Sequence, residues 1–341
     1  MIVMHEKYDI EEKCRKILED NGAIVADKAK RLLLEDPDLK NLRPPIEFVS
    51  NNWRDLTPAF MSLSCEALGG HPKKTYDTAL AMSLINLTFY IWDDIIDNAH
   101  FKLFKPTLLE KFGQGTALIV GGVLSAKAFS ILNTMKMEKE KCQAINKLVW
   151  QLLVQMSHTE ITVLRLRKQE PLSSKAKLWK IKSEAIDFET WFKIGALIGN
   201  GSENEARRLA QYGRCLGIIS ELWKDFLVST NLTTELEEKI KNKTLPYSLL
   251  WASEHSERVQ KTLCNLLNEE KAEKIDIKQI VDAFLETEAL NNVRKTMKRL
   301  AKQGAKALDG IQKNKAVETL LFYIEAQPQL FMRSLSSMQA H

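Results

Sequence analysis

The apolar segment Ala79–Trp92 constrains the fold of this chain most. It contains no glycine, proline or charged residue, and it ends directly in three aspartates. On a helix, Asp93 and Asp97 stand one turn apart on one face, with Asp94 beside them. Carboxylates this close repel each other unless a cation compensates them. Their hard oxygens suit Mg²⁺, which takes one or two carboxylates and joins them to substrate phosphates. The alternative is a solvated acidic helix end, but the preceding segment is too apolar for an exposed face.

Helical periodicity extends over most of the 341 residues, and glycine (14) and proline (9) are scarce. Since no linker-like composition divides the chain, the pattern predicts a single all-α domain spanning residues 1–341. Pro44-Pro45 is expected to block a helix, and no strand signal stands above background. The predicted helices cover residues 5–35, 51–69, 78–97, 113–132, 138–168, 175–199, 203–230, 244–267, 275–305 and 310–326.

Charge and cysteine usage exclude several classes of protein. The 49 basic and 44 acidic residues give a net charge of +5, without the dense basic run expected of a nucleic-acid binder. The five cysteines form no CxxC pair, which is typical of reduced thiols in a cytoplasmic protein. The N-terminus becomes charged at once, and no uncharged apolar run reaches the roughly 18 residues needed to span a membrane. We therefore expect a cytoplasmic protein with a small-molecule substrate, no nucleic-acid partner and no membrane span.

The aspartate cluster belongs to a longer motif. Asp93-Asp-Ile-Ile-Asp-Asn98, followed by Lys105-Pro-Thr-Leu-Leu-Glu-Lys-Phe-Gly113, resembles the trans-prenyl diphosphate synthases. These belong to the class I isoprenoid synthase superfamily, which also holds the terpene synthases. The resemblance covers a core of residues 46–250, between an N-terminal helical region (1–45) and C-terminal helices (251–341). It implies an all-α class I isoprenoid synthase (terpene synthase) helical bundle around a central cavity.

The resemblance also implies a chemistry. Mg²⁺ held by Asp93, Asp94 and Asp97 would neutralise the diphosphate of an allylic prenyl substrate and promote its ionisation. Thr88 and Phe89, just before the cluster, would line the cavity floor in this family. Ordinary core packing is the alternative for Phe89.

The pocket for a second substrate, isopentenyl diphosphate, departs from the family pattern. Where a GKxxR segment is usual, Arg54 replaces the lysine and Thr57 the arginine, and Asp55 would repel the anion further. Lys102-Leu103-Phe104 stands where Arg-Arg-Gly is usual. Losing two guanidinium groups removes charge-assisted hydrogen bonds to a diphosphate. Arg54 and Lys102 remain candidate diphosphate-binding residues in a pocket that looks dismantled.

The second aspartate-rich motif of the family is also altered. Glu221, Asp225 and Ser229 recur at i, i+4 and i+8 and would form one oxygen-rich helix face, which suits a second Mg²⁺ cluster. The alternative is a polar stripe on a surface helix. Lys224 replaces an aspartate there and is a candidate diphosphate contact. Lys182 lies about one residue from the place of the family's Lys-Thr contact and is a further candidate.

Three functions follow from this combination. An intact first metal cluster beside a degraded second pocket favours a Mg²⁺-dependent terpene synthase on a prenyl-synthase-like scaffold. A divergent chain-elongating prenyltransferase is the alternative, with Arg54, Lys102 and Lys105 as a reduced pocket. A non-catalytic partner subunit of a prenyl synthase is the second alternative. A homodimer is expected by resemblance.

Overall fold

The computed structural model describes residues 2–53, 55–102, 105–167, 173–230, 234–268 and 277–338. Within these ranges the chain is almost entirely helical, so the predicted all-α class is confirmed. The helices are α1 (Ile2–Glu35), α2 (Arg43–Asn52), α3 (Pro58–Ala67), α4 (Tyr76–Ile96), α5 (Leu108–Asn133), α6 (Lys139–Arg167), α7 (Ser174–Glu184), α8 (Ile186–Ile198), α9 (Glu203–Thr230), α10 (Thr234–Lys241), α11 (Tyr247–His255), α12 (Glu257–Asn268), α13 (Ile277–Leu285), α14 (Ala289–Ala307) and α15 (Lys315–Met338).

Helix α8 lies between two apolar clusters that form the core. Its Trp191 belongs to a cluster built mainly from α1, α4, α5 and α6. Its Phe192 belongs to the other cluster, which unites α3, α9, α14 and α15. Gly195 lets α8 approach α3 closely, because a methyl group there would overlap the Met61 carbonyl oxygen. Ser64 of α3 also donates a hydrogen bond to the Phe192 carbonyl at 2.6 Å. These contacts hold α8 close against α3, between the two clusters.

Helix α4, which carries the aspartates, packs along α5. Thr107 caps α5, since its hydroxyl accepts a hydrogen bond from the Glu110 amide. Gly121 on α5 faces Trp92, and a methyl group at this position would overlap the indole nitrogen. The two helices therefore approach closely just before the aspartate cluster.

Several predicted boundaries were wrong. Pro44 and Pro45 do not block a helix, since they lie in the first turn of α2, where a missing amide proton costs no hydrogen bond. The predicted helix 175–199 is interrupted at Ala185, between α7 and α8. Predicted helices 244–267 and 275–305 are likewise each divided into two. Two short antiparallel strands also occur, β1 (Phe101–Lys102) and β2 (Lys105–Pro106).

Two segments, Pro72–Ile96 and Leu108–Asn133, are long and apolar enough to cross a membrane by length and composition alone. Each segment includes charged residues, so neither is an uncharged apolar run of the kind sought in the sequence. The most apolar window is 61% buried in the first and 33% buried in the second. This is weak evidence for a span, because the core helix of a soluble protein has the same properties. Because α5 is only partly buried, it exposes the apolar side chains of Leu118 and Ile119 at the protein surface.

Candidate functional site

The aspartate cluster occupies the C-terminal turn of α4. The Asp97 amide donates to the Asp93 carbonyl at 2.8 Å, so these residues are one helical turn apart as the spacing requires. Asp94 is buried, whereas the Asp93 side chain retains 35% exposure. Asn242, the residue directly after α10, contacts the backbone at the end of the cluster: its side-chain amide donates to the Asp97 carbonyl at 3.1 Å. The cluster is therefore fixed in place by main-chain contacts.

Lys102 on strand β1 is the compensating cation that three adjacent carboxylates require. Its Nζ lies 3.0 Å from Asp93 Oδ2 and 2.5 Å from Asp94 Oδ1. The ammonium group also lies over the Tyr90 ring, 4.4 Å from its centroid. The Glu238 carboxylate orients the strand by accepting the Phe101 amide proton at 3.1 Å. The short hairpin thus places a lysine directly on the cluster.

The two neighbouring aspartates have opposite electrostatic environments. Burial raises the pKa of Asp94 to about 6, although Lys102 acts in the other direction. Burial also acts to raise the pKa of Asp93, but the charges of Lys102 and Lys180 outweigh it and hold that pKa well below its usual range. Asp93 is therefore a firmly ionised carboxylate, which is the form that a metal ion needs.

Lys180 of α7 faces the cluster from the opposite wall. Its side chain is 5% exposed, and Nζ lies 3.1 Å from Glu160 Oε1, 3.3 Å from Glu184 Oε1 and 3.9 Å from Asp93 Oδ1. Sequence reasoning selected Lys182 instead. Lys182 is exposed, because residues two apart on a helix point in different directions.

Two further carboxylates, Glu184 on α7 and Asp187 on α8, have raised pKa values. Burial, with a contribution from the Asp55 charge, raises the pKa of Asp187 to about 7. Its Oδ1 accepts a hydrogen bond from the Trp191 indole at 2.9 Å. Burial raises the pKa of Glu184 to about 7 as well, with Lys180 opposing and Glu221 reinforcing the shift. Sequence reasoning missed Glu184 and Asp187. The i, i+4 spacing of Lys180 and Glu184 was the available signal.

The three residues of the predicted second metal face on α9 have different partners. The Asp225 carboxylate accepts the amide protons of Tyr247 at 2.9 Å and Ser248 at 3.2 Å, and so caps the start of α11. The Ser229 hydroxyl is buried and lies 2.7 Å from that of Ser248. Both groups are thus already bound to α11.

Glu221, the third member of that predicted face, pairs instead with Lys224. Lys224 Nζ lies 2.8 Å from Glu221 Oε1, and the Lys224 side chain is 66% exposed. Lys224 thus remains accessible to an anionic ligand, which a contact with a diphosphate would require.

Thr88 and Phe89, which the resemblance placed at the cavity floor, lie at least partly in the interior. The Thr88 hydroxyl is buried and donates to the Leu84 and Gly121 carbonyls, at 2.9 and 3.2 Å. Phe89 is partly buried and meets the Trp92 ring edge-on, with 6.4 Å between centroids. Both side chains therefore pack, at least in part, in the interior around α4. Arg54, Leu103 and Phe104 lie outside the described residues.

Asp55, which the sequence suggested as a repelling group, is held in place by hydrogen bonds. Its carboxylate accepts the Thr57 amide proton at 2.8 Å and the Ser83 hydroxyl proton at 2.9 Å. These bonds fix the start of α3 against α4, and burial raises the pKa of Asp55. The repulsion of an anion by Asp55 stays a prediction, and the carboxylate has a structural role at this position.

A cavity of about 160 Å³ lies on the side of α4 that bears Asp94. Its walls are mostly apolar and aromatic, with Lys102 and Lys105 at the hairpin edge. The remaining lining comes from the end of α2 and the residue after it, the C-terminal half of α4, strand β2 and the start of α5: Phe48, Val49, Asn52, Trp53, Leu87, Tyr90, Ile91, Asp94, Pro106, Thr107 and Leu108. An apolar pocket edged by lysines suits a short hydrocarbon bearing an anionic group.

The donors at the cluster suit a divalent cation only if a ligand completes the coordination. Among the described residues, no group of three or more His, Cys, Asp or Glu side chains is arranged to hold a metal ion. Asp93 and Asp97 supply hard oxygens one turn apart, and Mg²⁺ often binds one or two carboxylates and takes its other ligands from water and substrate phosphates. The aspartate cluster therefore fits a metal ion that arrives with a diphosphate.

Comparison with known proteins identifies the family. The model of the polyprenyl synthetase family matches residues 42–284, well over half of the chain. The chain belongs to the polyprenyl synthetase family. This confirms the resemblance inferred from the aspartate motif.

Solved structures confirm the isoprenoid synthase fold. The geranylgeranyl pyrophosphate synthetase of Pyrococcus horikoshii has a TM-score of 0.77 and 22% identity, covering 94% of this chain and 98% of that one. A polyprenyl synthase from Caulobacter crescentus, solved with calcium and isoprenyl diphosphate, has a TM-score of 0.78 and 18% identity, covering 92% and 97%. At these identities the likeness establishes the fold alone.

Curated relatives are prenyl diphosphate synthases. The large subunit 2 of a heterodimeric geranylgeranyl pyrophosphate synthase from Arabidopsis thaliana is 28% identical over 52% of this chain. A geranylfarnesyl diphosphate synthase from Methanosarcina mazei is 26% identical over 68% of it. The chain spans about half the length of the plant relative and 76% of the archaeal one.

Proposed function

We propose that this chain is a Mg²⁺-dependent prenyltransferase that lengthens an allylic prenyl diphosphate with isopentenyl diphosphate. The observation that carries the proposal is the ionised Asp93 at the end of α4, flanked by Lys102 and Lys180, in a chain of the polyprenyl synthetase family. The relatives named above are chain-elongating synthases. They favour this alternative over the terpene synthase that the eroded motifs first suggested.

The residues of the site have separate proposed roles. Asp93 and Asp97, with Asp94 beside them, would hold Mg²⁺, which neutralises the diphosphate as it leaves. Lys224 would contribute positive charge to the same anion. The apolar interior around α4 and α8 would keep water from the allylic cation.

The cavity beside Asp94 is the proposed place for the second substrate. Lys102 and Lys105 stand at its hairpin edge, and Trp53 on its wall directly precedes Arg54 in the sequence. Two lysines with Arg54 would supply a reduced cationic clamp for isopentenyl diphosphate. Its five-carbon chain suits the apolar wall formed by Leu87 and Ile91.

Incubation with Mg²⁺, isopentenyl diphosphate and geranyl, farnesyl or geranylgeranyl diphosphate tests the proposal. Elongated diphosphates, identified by mass after dephosphorylation, are the expected products. Terpene hydrocarbons formed from the allylic substrate alone would instead establish the terpene synthase. Absence of turnover by the isolated chain, with an effect on a partner synthase, would favour the non-catalytic subunit.

We also propose that the chain forms a homodimer through α5 and α6. Large apolar side chains are exposed along both helices: Leu118, Ile119, Trp150, Val154, Ile161, Leu164 and Leu166. Such a surface is unusual for a monomer and favours burial against a second copy. The Arabidopsis relative described as heterodimeric makes a different synthase subunit the other partner to test. A cytoplasmic location remains part of the proposal, although other Arabidopsis relatives are named chloroplastic.

A further inference from the structure

Lys180 joins three helices at a single ammonium group. Its neighbours are Asp93 on α4, Glu160 on α6 and Glu184 on α7, at 3.9, 3.1 and 3.3 Å. The lysine side chain is almost fully buried, and no carboxylate of this trio is more than 35% exposed. Three acidic groups from separate walls of the site therefore share one fixed positive charge.

The two oxygens of Asp93 face different cations. Oδ2 lies 3.0 Å from Lys102, at hydrogen-bond distance, whereas Oδ1 lies 3.9 Å from Lys180, beyond it. Lys180 therefore attracts this carboxylate without binding it directly. Glu160 and Glu184 are held by the same ammonium at shorter distances. An arrangement of this kind orients Asp93 and leaves one oxygen available to a ligand.

Helix α9 also pairs an acidic side chain with a lysine. Glu221 on α9 is paired with Lys224 at 2.8 Å, one turn away on the same helix. Asp225 and Ser229, which the sequence assigned to a metal face there, are bound to α11. Helix α9 thus carries the Lys224 ammonium group where the sequence first suggested a second metal cluster, and α7 carries the Lys180 ammonium group beside Asp93.

We propose that Lys180 is a positioning residue whose ammonium group serves as a built-in cation between α4, α6 and α7, in place of a divalent ion bound there. The inference rests on the proposed metal-dependent function, since it concerns the surroundings of Asp93. It predicts that this wall binds a metal ion only when Lys180 is neutralised. The chain would then load metal on the aspartate side alone.

Manganese binding to the full-length chain, followed by electron paramagnetic resonance without substrate, tests this directly. Lys180→Gln leaves Asp93, Glu160 and Glu184 facing one another without their shared cation. A divalent ion should then bind about tenfold more tightly, or at an additional site, because a repelling charge roughly 4 Å away has been removed. Lys180→Arg keeps the charge and should restore wild-type binding. Lys175→Gln, on the exposed face of the same helix, is the matched control and should bind as wild type does.

A purely structural lysine would give a different result. Lys180→Gln would then lower the melting temperature without tightening manganese binding, and this outcome overturns the inference. Should Lys180→Gln fail to fold, Glu184→Gln offers an independent variant. It removes one acidic neighbour, so Lys180 competes more strongly for Asp93 and manganese affinity should fall several-fold. Unchanged affinity in a folded Glu184→Gln variant would also overturn the inference.

Asp93→Asn separates this inference from the proposed function. If Asp93→Asn abolishes manganese binding while Lys180→Gln changes nothing, the metal site stands and the role of Lys180 is wrong. If manganese binds equally well to wild type and Asp93→Asn, the proposed metal site itself is wrong.

Discussion

The ammonium group of Lys102 lies 2.5 Å from Oδ1 of the buried Asp94. The pairing helps to explain how three aspartates can lie together at the end of an apolar helix. The β1–β2 hairpin after α4 places the Lys102 ammonium group against two of them, Asp93 and Asp94. It also makes Lys102 both a structural counter-ion and a group available to a diphosphate. Under the proposed function, stability and catalysis would therefore be linked at this residue.

Replacing Lys102 should destabilise the fold. Lys102→Gln leaves Asp94 buried without its cation, which should lower the free energy of unfolding by about 1–3 kcal/mol. Urea unfolding followed by circular dichroism measures the change. Lys105→Gln, on the paired strand but exposed, is the control and should cost under about 0.5 kcal/mol. An equal effect of both substitutions would contradict the role of Lys102.

The contact between Gly121 and Trp92 predicts a second stability difference. A methyl group at position 121 would overlap the Trp92 indole, so Gly121→Ala should destabilise the protein by about 1–3 kcal/mol. The adjacent Gly122 has nothing within 4 Å of the added carbon. Gly122→Ala should therefore stabilise the helix by about 0.5–1 kcal/mol. Thermal unfolding of the two variants should move in opposite directions, and shifts of the same sign would contradict this packing.

Asp187 should make stability depend on pH. Its pKa is raised to about 7 in the folded chain, first by burial and then by the Asp55 charge, from an ordinary value of 3.8. The folded state then keeps a proton that the unfolded state releases, so stability falls as pH rises from about 4 to about 7. With allowance for partial exposure, we expect wild type to lose about 2 kcal/mol more than Asp187→Asn between pH 5 and pH 8.

Urea titrations at both pH values measure that difference. The exposed Asp77 provides the control substitution Asp77→Asn, which should leave the wild-type pH profile in place. Parallel pH profiles for wild type and Asp187→Asn would show that Asp187 is not the group responsible.

The apolar surface of α5 and α6 predicts the oligomeric state. Trp150 is 64% exposed and Ile119 is 58% exposed. Trp150→Lys or Ile119→Lys should shift the mass measured by size-exclusion chromatography with light scattering from dimer toward monomer. Ile24→Lys, at an equally exposed apolar residue on α1, should remain dimeric. A monomeric wild type would refute the proposed dimer.

The sequence predicted the all-α class because α4, α9 and the part of α5 after its kink at Gly113 carry long helical patterns. It did not predict the start of α2, since the two prolines were read as helix breakers and not as first-turn residues. It also missed the hairpin, because strands of two residues leave no periodic pattern. The single domain spanning 1–341 stays a prediction, although α15 packs on both α1 and α3, which favours it.

Within the site, local spacing was informative only along one helix. The relation between Asp93 and Asp97 follows from helix geometry alone. The contacts of Lys180 with Glu160 and Asp93 connect residues far apart in the chain, so only the tertiary fold defines them. Asp225 shows the same limit: its helical spacing suggested a metal ligand, but the fold brings the amides of α11 onto its carboxylate.

The most direct test of the proposed function is product analysis with both substrates present. Purified protein, Mg²⁺, labelled isopentenyl diphosphate and an allylic diphosphate should yield labelled, longer prenyl diphosphates, and Asp93→Asn should abolish them. Hydrocarbons that contain no label, formed equally well without isopentenyl diphosphate, would contradict the proposed chain elongation.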